Sequence, residues 1–460
     1  MKQALLQGRL TVQKTPKINR RSALKLAAAS VALPLVHIRT AGAAGKLSIG
    51  FWDHWVPGSN DVMKKHVDAW AEKNKVEVTA DFITSSGNKL ALTPAAETQA
   101  KAGHDIMTLV NWDAQNYAEF LEPIDDLIKH VTDMHGAPTR TAEYLGKFKG
   151  HWTGLPASSG TQTKPACGRI SWFKKHGLDL QAMYPTKDET NALQDAWTWD
   201  NFLKYAELAA KDNLTFSLGL GGGQLNSDAT DLHGAIFASF GAGIVDANGK
   251  SLLKSDGTMA VLEYMKKLLK FYPADAVSFD DASNNRALIS GKSALIFNPP
   301  SAWAVAKRDN IDVASDCWTF PAPKGPKGRY VPTQTFFWGT YNFSKNKSAA
   351  KELLAFLMER KNIEERDVSS SGYDLPPYEK LTDFKVWEEV GPPTGTVYNY
   401  PIRKAAGQIP SLTASEAPPE VAVQIYNRGV HNQMLARLRD GQTIPQVIAW
   451  AQDEIEGYTR

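Results

Sequence analysis

The strongest constraint on the fold is an alternation of strand-like and helix-like segments between residues 46 and 110. Residues 76–82 alternate apolar and polar side chains with a period of two, whereas Met63, Val67 and Trp70 recur at helical spacing. The pattern predicts strands at 46–51, 76–82 and 105–110 and helices at 60–73 and 90–101, the first helix being capped by Ser59 or Asn60. This order of elements is typical of an α/β fold with a mainly parallel sheet.

The rest of the chain continues in the same style. The spacing of apolar residues predicts a strand at 293–297 and helices at 198–211, 258–270, 348–360 and 442–456. Residues 320–332 are rich in proline and glycine and are predicted to form a loop. About 417 residues follow the N-terminal segment described next, more than one domain usually contains, so two lobes are expected.

The first 43 residues have the composition of an export signal. They contain eight Lys or Arg and no Asp or Glu; the pair Arg20-Arg21 precedes an apolar run at 26–36, and small residues follow at 41–43. Such a run spans about 16 Å as a helix, too short for a bilayer, so a removed signal is predicted rather than an anchor. The stretch NRRSALK is similar to a twin-arginine signal, which predicts export to the periplasm by that route.

Removal of this segment reverses the charge of the chain. The full sequence has 52 basic and 49 acidic residues; without the eight basic residues of the leader, 44 oppose 49, a net charge near −5. The apparent basicity therefore belongs to the leader, and no nucleic-acid partner is expected.

Motifs for metals, cofactors and phosphate are weak. His54, His66 and His104 would be the candidates for a zinc site, but the histidines lack paired spacing, so neither a metal nor a cofactor is expected. The run GLGGGQ at 219–224 lacks the Lys-Ser/Thr of a phosphate-binding loop and is predicted to be a turn. Cys167 and Cys317 permit one disulfide outside the cytoplasm, which the sequence leaves open.

Two Trp/Asp pairs follow predicted strands of the first sheet. The stretch FWDHW places Trp52, Asp53, His54 and Trp55 after the first strand, and NWD places Asn111, Trp112 and Asp113 after the third. In open α/β sheets ligands bind beyond the carboxyl ends of the strands, so the two stretches are expected to face one ligand. Ordinary core packing of the tryptophans, and capping of a turn by Asp53, are the alternatives.

Several segments, in order, resemble the sugar-type extracellular solute-binding proteins of ABC importers, the family of maltose-binding protein. The resemblance rests on GHWTGLP, WFKKHGLDL, AWTWDNFLKYAELAAK, FGAGIVDANGK, GTMAVLEYMKKLLKFY, GKSALIFNPPSAWAV, FSKNKSAAKELLAFLM and SSSGYDLPP, and it covers nearly all of the chain after the leader. Two positions depart from the family pattern: Gly168-Arg169 replaces a Tyr-Asn pair, and Ser301 stands where an aromatic residue often follows NPP.

The resemblance implies two α/β lobes that close over a solute, with crossovers between them acting as hinges. Lobe 1 is then expected to comprise 44–156 plus about 336–372, and lobe 2 to comprise 157–335 plus about 373–460. Hinges are expected at 156–157, 332–335 and 372–376. The resemblance also implies delivery to the transmembrane permease subunits of an importer by a binding protein that acts as a monomer.

Within this family the site would offer acceptors for sugar hydroxyls and aromatic faces for sugar C–H groups. Asp53 and Asp113 are the expected acceptors and His54 a donor, while Trp52, Trp112 and Trp303 are expected to stack, one of Trp52 and Trp55 lying in the pocket and the other packed. Family position alone adds Ser158, Ser159, Trp338 and Tyr373.

The alternative is a secreted carbohydrate-active enzyme that uses Asp53 and Asp113 as an acid/base pair. Such a pair needs two carboxyl groups about 5–10 Å apart across the scissile bond. No glycosidase motif supports this reading, so no catalytic residue is predicted. The solute stays open among monosaccharides, oligosaccharides and polyols; the lack of an Arg/Lys cluster at these loops disfavours a phosphate.

Overall fold

The computed structural model describes residues 45–56, 58–183, 192–298, 301–389 and 408–459. The predicted leader, its cleavage site and its twin-arginine stretch lie outside the described residues. In the described part of the chain we find no helix with the length and apolarity needed to cross a membrane.

Helices make up nearly half of the described chain. Their bounds are α1 Ser59–Asn74, α2 Lys89–Ala100, α3 Asp113–Asn116, α4 Asp125–His135, α5 Arg140–Gly146, α6 Ile170–Lys175, α7 Ala192–Ala196, α8 Trp199–Lys211, α9 Ser227–Phe240, α10 Asp256–Leu268, α11 Ser283–Ile289, α12 Ser301–Asp309, α13 Ile311–Ser315, α14 Lys347–Leu357, α15 Arg360–Ser369, α16 Val386–Glu389, α17 Pro419–Arg428, α18 Val430–Arg439 and α19 Ile444–Thr459.

The first sheet has the predicted parallel core. It consists of β1 Lys46–Trp52, β2 Glu77–Ile83, β3 Ile106–Val110, β6 Leu155–Pro156 and β12 Phe336–Thr340, in the order β2-β1-β3-β12-β6. Strand β1 is parallel to β2 and β3, and β12 is antiparallel to β3. Gly50 leaves room for Met107 on the neighbouring strand, because an added Cβ there would lie 2.6 Å from Sδ of Met107 and would displace that side chain.

Helix α1 buries the predicted face, with Met63, Val67 and Trp70 all in the core. The predicted side-chain cap is wrong, because Gly58 occupies the cap position and neither Ser59 nor Asn60 makes a capping hydrogen bond. Instead Oδ1 of Asn60 accepts a hydrogen bond from the backbone N–H of His54, 3.0 Å away. Asn60 thereby fixes the loop that leaves β1.

The second sheet is formed by β7 Ala166–Arg169, β8 Thr215–Phe216, β9 Ser293–Phe297 and β10 Cys317–Phe320, in the order β10-β7-β9-β8. Aromatic rings from α8 and its neighbours cover this sheet, with Phe202 5.0 Å from Phe216 and Trp197 5.7 Å from Phe320 between ring centroids. Cys167 and Cys317 lie on the paired strands β7 and β10, where both are buried free thiols.

Two small pairs of strands complete the set. They are β4 Lys147–Phe148 with β5 His151–Trp152, and β11 Arg329–Pro332 with β13 Gln408–Ser411. The prediction of a loop over the whole of 320–332 is therefore wrong at its end, because residues 329–332 pair in parallel with β13. Local composition does not predict that β11 pairs with β13, a strand some 80 residues further along the chain.

The chain passes from the first sheet to the second between β6 and β7 and returns between β11 and β12. Residues 377–380, which the sequence assigns to lobe 2, hydrogen-bond to the end of α4 and the residues after it. The backbone N–H of Thr139 donates to the carbonyl oxygen of Pro377, and that of Lys380 donates to the carbonyl oxygen of His135. Arg360 of α15 also pairs with Asp383, with an N···O distance of 2.6 Å. We therefore propose that the third crossover follows residue 383 instead of lying at 372–376.

Candidate ligand-binding cleft

A cleft of about 710 Å³, counted with the part that is open to solvent, separates residues at the ends of β1, β2 and β3 from residues on segments that carry the second sheet. The lining residues are Trp52, Trp55, Ser85, Asn88, Leu90, Ala91, Val110, Asp113, Ser227, Asp228, Asp281, Asn298, Gln334, Phe336, Tyr373 and Tyr426.

Aromatic rings form one group in this lining. Trp52, the last residue of β1, lies 4.8 Å from Phe336 with an interplanar angle of 32°, and 6.1 Å from Tyr373. Trp55 meets Trp52 edge to face at 6.4 Å and remains half-buried. Because Nε1 of Trp52 donates to Oγ of Ser85 at 3.1 Å, its indole is held in one orientation.

Lys164 organises a polar group at another part of the cleft. Its buried ammonium lies 2.8 Å from Oδ1 of Asp228, 2.9 Å from Oδ2 of Asp231 and 3.0 Å from Oγ of Ser227. The nearby carboxylates raise the pKa of Lys164, outweighing the effect of its burial, so the ammonium stays charged.

The start of α9 brings two of these residues to the cleft. Asn226 caps the helix by accepting a hydrogen bond from the N–H of Ala229, which leaves Ser227 and Asp228 in the first turn. Asp281 accepts from Oγ of Ser227 and from the N–H of Asp228, each at 3.1 Å. The acidic side chain of Asp281 thus sits against the helix start that the macrodipole makes favourable for an anion.

Asn298, directly after β9, completes the polar group. Its amide donates to Oδ2 of Asp228 at 3.2 Å, and its carbonyl oxygen accepts from Oγ of Ser301 at 2.8 Å. Asn284 donates to the same oxygen of Asp228 at 2.9 Å. Asp228 is therefore held by one ammonium and two amides, so it offers a fixed acceptor to a solute.

Asn111 and Asp113 shape the end of β3. Asn111 has φ of 50°, a left-handed conformation that asparagine tolerates better than most residues. Its amide donates to the hydroxyl of Tyr426 at 2.8 Å and to Oδ2 of Asp231 at 3.3 Å. Oδ2 of Asp113 accepts from the N–H of Val110 at 3.0 Å, which starts α3 and places the carboxylate in the cleft lining.

Four of the residues expected from sequence line this cleft: Trp52, Trp55, Asp113 and Tyr373. Both tryptophans of FWDHW do so, whereas only one of them was expected there. Asp53 and His54 turn away from the cleft, because Oδ1 of Asp53 accepts from Asn60 at 2.7 Å and Nε2 of His54 lies 3.0 Å from Oδ1 of Asp374. Asn111 lies behind the lining, where it is fully buried.

The other expected residues lie in the core or beside a second cavity. Trp112 packs 5.6 Å from Tyr144 and Trp303 packs 4.9 Å from Trp318, each edge to face and buried. Oγ of Ser158 accepts from Arg366 at 2.5 Å. Ser159 and Trp338 border a separate cavity of about 320 Å³ beneath Trp52.

Sequence reasoning missed most of the polar lining, above all Ser227, Asp228, Asp281 and Asn298. The sequence carries a usable signal for two of them, because Asn-Ser-Asp after a glycine-rich run is typical of a helix start. Asn298 begins the NPP stretch that the resemblance had singled out, but Trp303 was the residue expected to bind the ligand there. Asp281 has no distinctive local signal, since the pairing of distant segments brings it to the cleft.

Two of the histidines named from sequence, His66 and His104, pair with carboxylates. Within the described ranges no group of three or more His, Cys, Asp or Glu has the arrangement of a metal site. His66 pairs with Glu365 at 2.9 Å, and His104 lies between Glu97 and Asp81 at 2.5 and 3.1 Å.

These features define a class of protein with two sheets, each flanked by helices, and a cleft whose lining residues come from segments that belong to both sheets. Residues 57–364, about two thirds of the chain, match the family of bacterial extracellular solute-binding proteins. The chain belongs to this family of exported binding proteins, and the two sheets are the centres of its two lobes.

Solved structures show the same fold at low identity. T. maritima MalE3 with bound maltose matches at TM-score 0.70 and 18% identity, covering 90% of this chain and 99% of its own. An Arthrobacter chlorophenolicus sugar transporter with bound laminaribiose matches at 0.69 and 15%, and a Thermotoga lettingae ABC transporter solute-binding protein with bound α-D-tagatose at 0.67 and 16%, both with the same coverage. A search of curated protein sequences found no match.

Proposed function

We propose that this chain is the solute-binding component of an ABC importer and that it binds a carbohydrate or polyol in the cleft. One observation carries the proposal: aromatic rings and fixed carboxylate and amide groups line the same 710 Å³ space. A sugar needs both, because its C–H faces pack on rings while its rim hydroxyls donate to carboxylates.

The energetics suit transient capture. A micromolar site needs about 8 kcal/mol. Each aromatic contact contributes roughly 0.5–1.5 kcal/mol, and each hydrogen bond contributes roughly 1 kcal/mol net. The rings of Trp52, Trp55 and Tyr373 and one hydrogen bond each to Asp113 and Asp228 supply roughly 3.5–6.5 kcal/mol of this. Further hydrogen bonds to the lining, for example to Asp281 and Asn298, supply the rest without covalent chemistry.

Family membership and the sugars named for the structural relatives favour the same reading. The relatives bind three different sugars, and their identities to this chain are 18% or lower, so they favour the carbohydrate class without selecting one member. The proposal extends to export through the twin-arginine route, to residence in the periplasm as a monomer and to docking on the transmembrane permease subunits.

The proposal includes no catalytic step. The enzyme alternative needed Asp53 and Asp113 to face one bond, but Asp53 is bonded to Asn60 and is absent from the residues that line the cleft. Asp113 accepts a backbone hydrogen bond at the start of α3, a positioning contact. Recovery of an unchanged oligosaccharide after prolonged incubation is the expected result.

The test is calorimetric titration of unfolded and refolded mature protein against monosaccharides, oligosaccharides and polyols. Refolding removes any solute that co-purifies. Trp55→Ala is expected to lower the affinity for the sugar about tenfold, which corresponds to about 1.4 kcal/mol of binding free energy. The matched control is Trp450→Ala, because Trp450 is also half-buried but stacks on Arg437 at 4.2 Å, outside the cleft lining.

Two results would count against the proposal. If the folded protein bound no member of the panel, the assignment of the solute to the carbohydrate and polyol class would be overturned. Equal loss of affinity in the Trp55 and Trp450 variants would show that the cleft is not the site.

A further inference from the structure

The cleft carries more negative charge than its own cations offset. Its described lining includes Asp113, Asp228 and Asp281 and contains no lysine, arginine or histidine. Lys164 lies behind this lining and is shared between Asp228 and Asp231. With Asp228, Asp231 and Asp281 all ionised, three neighbouring carboxylates face this one ammonium.

The titration of these carboxylates reflects the surplus. Burial and then the charge of Asp228 raise the pKa of Asp281 to about 7, and burial raises the pKa of Asp231 to about 6. Oδ1 of Asp231 is buried and has no hydrogen-bond partner among the described residues. An uncompensated carboxylate out of water is costly, so the free protein gains from a proton or from a cation at this site.

Asp281 retains capacity for a ligand. Each of its oxygens accepts one hydrogen bond, from Oγ of Ser227 and from the N–H of Asp228. A carboxylate oxygen accepts two, so both oxygens have a lone pair left. Asp281 also lines the cleft, so a donor on a solute can reach it.

The aromatic lining suits the same kind of solute. The faces of Trp52, Trp55 and Tyr373 carry the negative side of the ring quadrupole, which attracts a cation as well as sugar C–H groups. A metal ion is disfavoured, because no described group of acidic, histidine or cysteine residues has the arrangement of a metal site. A neutral sugar would fill the space and leave the charge surplus in place.

We propose that the cleft selects a cationic solute, a sugar or polyol with a protonated amine, and that Asp228 and Asp281 receive the ammonium group. This inference rests on the proposed function, because it names the charge class of the solute at the same site. The rings hold the sugar body while the carboxylates beside Lys164 hold the amine. Asp113 adds to the negative field from the first sheet.

The test compares matched ligands that differ in one group. The probes are D-glucosamine against D-glucose and N-acetyl-D-glucosamine, and the β-1,4-linked glucosamine disaccharide against cellobiose and its N-acetylated form. Calorimetry is run at low ionic strength, at a pH where the amine is protonated. In at least one set the amine is expected to bind about tenfold more tightly than both neutral partners, an advantage that added salt reduces.

Two isosteric variants locate the effect. Asp281→Asn removes the charge while its amide oxygen still accepts from the N–H of Asp228 and its NH2 group can donate to Oγ of Ser227. It is expected to bring the affinities of the amine and neutral ligands to within about threefold. Asp228→Asn is a second variant, should the first not fold. Asp133→Asn is the control, because Asp133 is exposed and pairs with Lys129 on α4.

The outcomes separate this inference from the proposed function. Neutral sugars that bind as well as or better than their amines would overturn the inference and leave a carbohydrate site standing. A preference for amines that survives in both aspartate variants would overturn the assignment to Asp228 and Asp281. Absence of binding by amines and neutral sugars alike would overturn both proposals.

Discussion

The amide of Asn111 donates a hydrogen bond of 2.8 Å to the hydroxyl of Tyr426. Asn111 follows β3 of the first sheet, whereas Tyr426 lies on α17, 315 residues further along the chain. Both residues are buried, and Tyr426 also lines the cleft. The bond therefore joins the loop of NWD to the opposite side of the ligand site.

Tyr426→Phe is expected to lower the free energy of unfolding by about 1 kcal/mol, the net value of one buried hydrogen bond. The amide NH2 of Asn111 would keep its longer contact with Asp231, at 3.3 Å, and its carbonyl oxygen would keep the hydrogen bond from the N–H of Thr335. Chemical denaturation measures the change. Tyr458→Phe is the control, because that hydroxyl bonds to Glu454 on the same helix and its loss should cost less than about 0.5 kcal/mol. Equal losses in the two variants would contradict the prediction.

Lys164→Met is expected to destabilise the protein by about 3–5 kcal/mol, because it leaves Asp228 and Asp231 without their ammonium partner. Adding Asp231→Leu removes the most deeply buried carboxylate and should restore part of the loss. Urea unfolding at fixed pH and salt concentration compares the single and double variants. A double variant no more stable than Lys164→Met would show that charge is not the cause.

The sequence was sufficient for the elements whose signal is local. Strands β1 to β3 and the helices between them follow from periodicity, as does the placement of Trp52 and Asp113 at strand ends. Ser227 and Asp281 were not found, because each reaches the cleft through packing of the second sheet and α9. A local sequence pattern does not reveal how close two such segments lie in the folded protein.

Trp112 illustrates the same limit within one motif. Trp52 ends β1 and Trp112 lies two residues after β3, and each is followed by an aspartate. Asn111, however, adopts a left-handed conformation before α3, and Trp112 packs against Tyr144 in the core. A strand-end position therefore predicts proximity to the cleft, while the backbone conformation of one residue decides which side chain enters it.

Trp303→Ala is expected to cost about 3–5 kcal/mol of stability and to leave ligand affinity unchanged. Trp303 is buried against Trp318, and its Nε1 donates to the carbonyl oxygen of Ala314 at 3.2 Å. Trp55→Ala should lower ligand affinity and leave stability unchanged, since Trp55 is half-buried in the cleft lining. Unfolding and ligand affinity are measured on both variants. If the fully folded Trp303→Ala variant binds the ligand more weakly than the parent protein, Trp303 belongs to the binding site after all.

Two buried histidines, His233 and His431, are expected to make the protein less stable as the pH falls. Burial lowers the pKa of His233 to about 4 and that of His431 to about 3. Unfolded chains bind a proton to each histidine below its ordinary pKa of 6.5, whereas the folded state does not. Their contribution to stability is therefore complete above pH 6.5 and is lost as pH falls toward 3–4. Asp281 and Asp231, whose pKa values are raised, act in the opposite direction, so the total profile mixes both effects.

His431→Met isolates one histidine from this mixture. His431 packs edge to face on Phe237 at 4.8 Å, a contact that a methionine of similar size can replace. Between pH 7 and pH 5 the variant should lose about 2 kcal/mol less stability than the parent protein, the cost of one histidine proton bound only by the unfolded chain. Urea unfolding at several pH values measures this difference. His130→Gln, on the exposed side of α4, should reproduce the parent profile. If His431→Met loses as much stability as the parent does, the proton taken up on unfolding belongs to other groups.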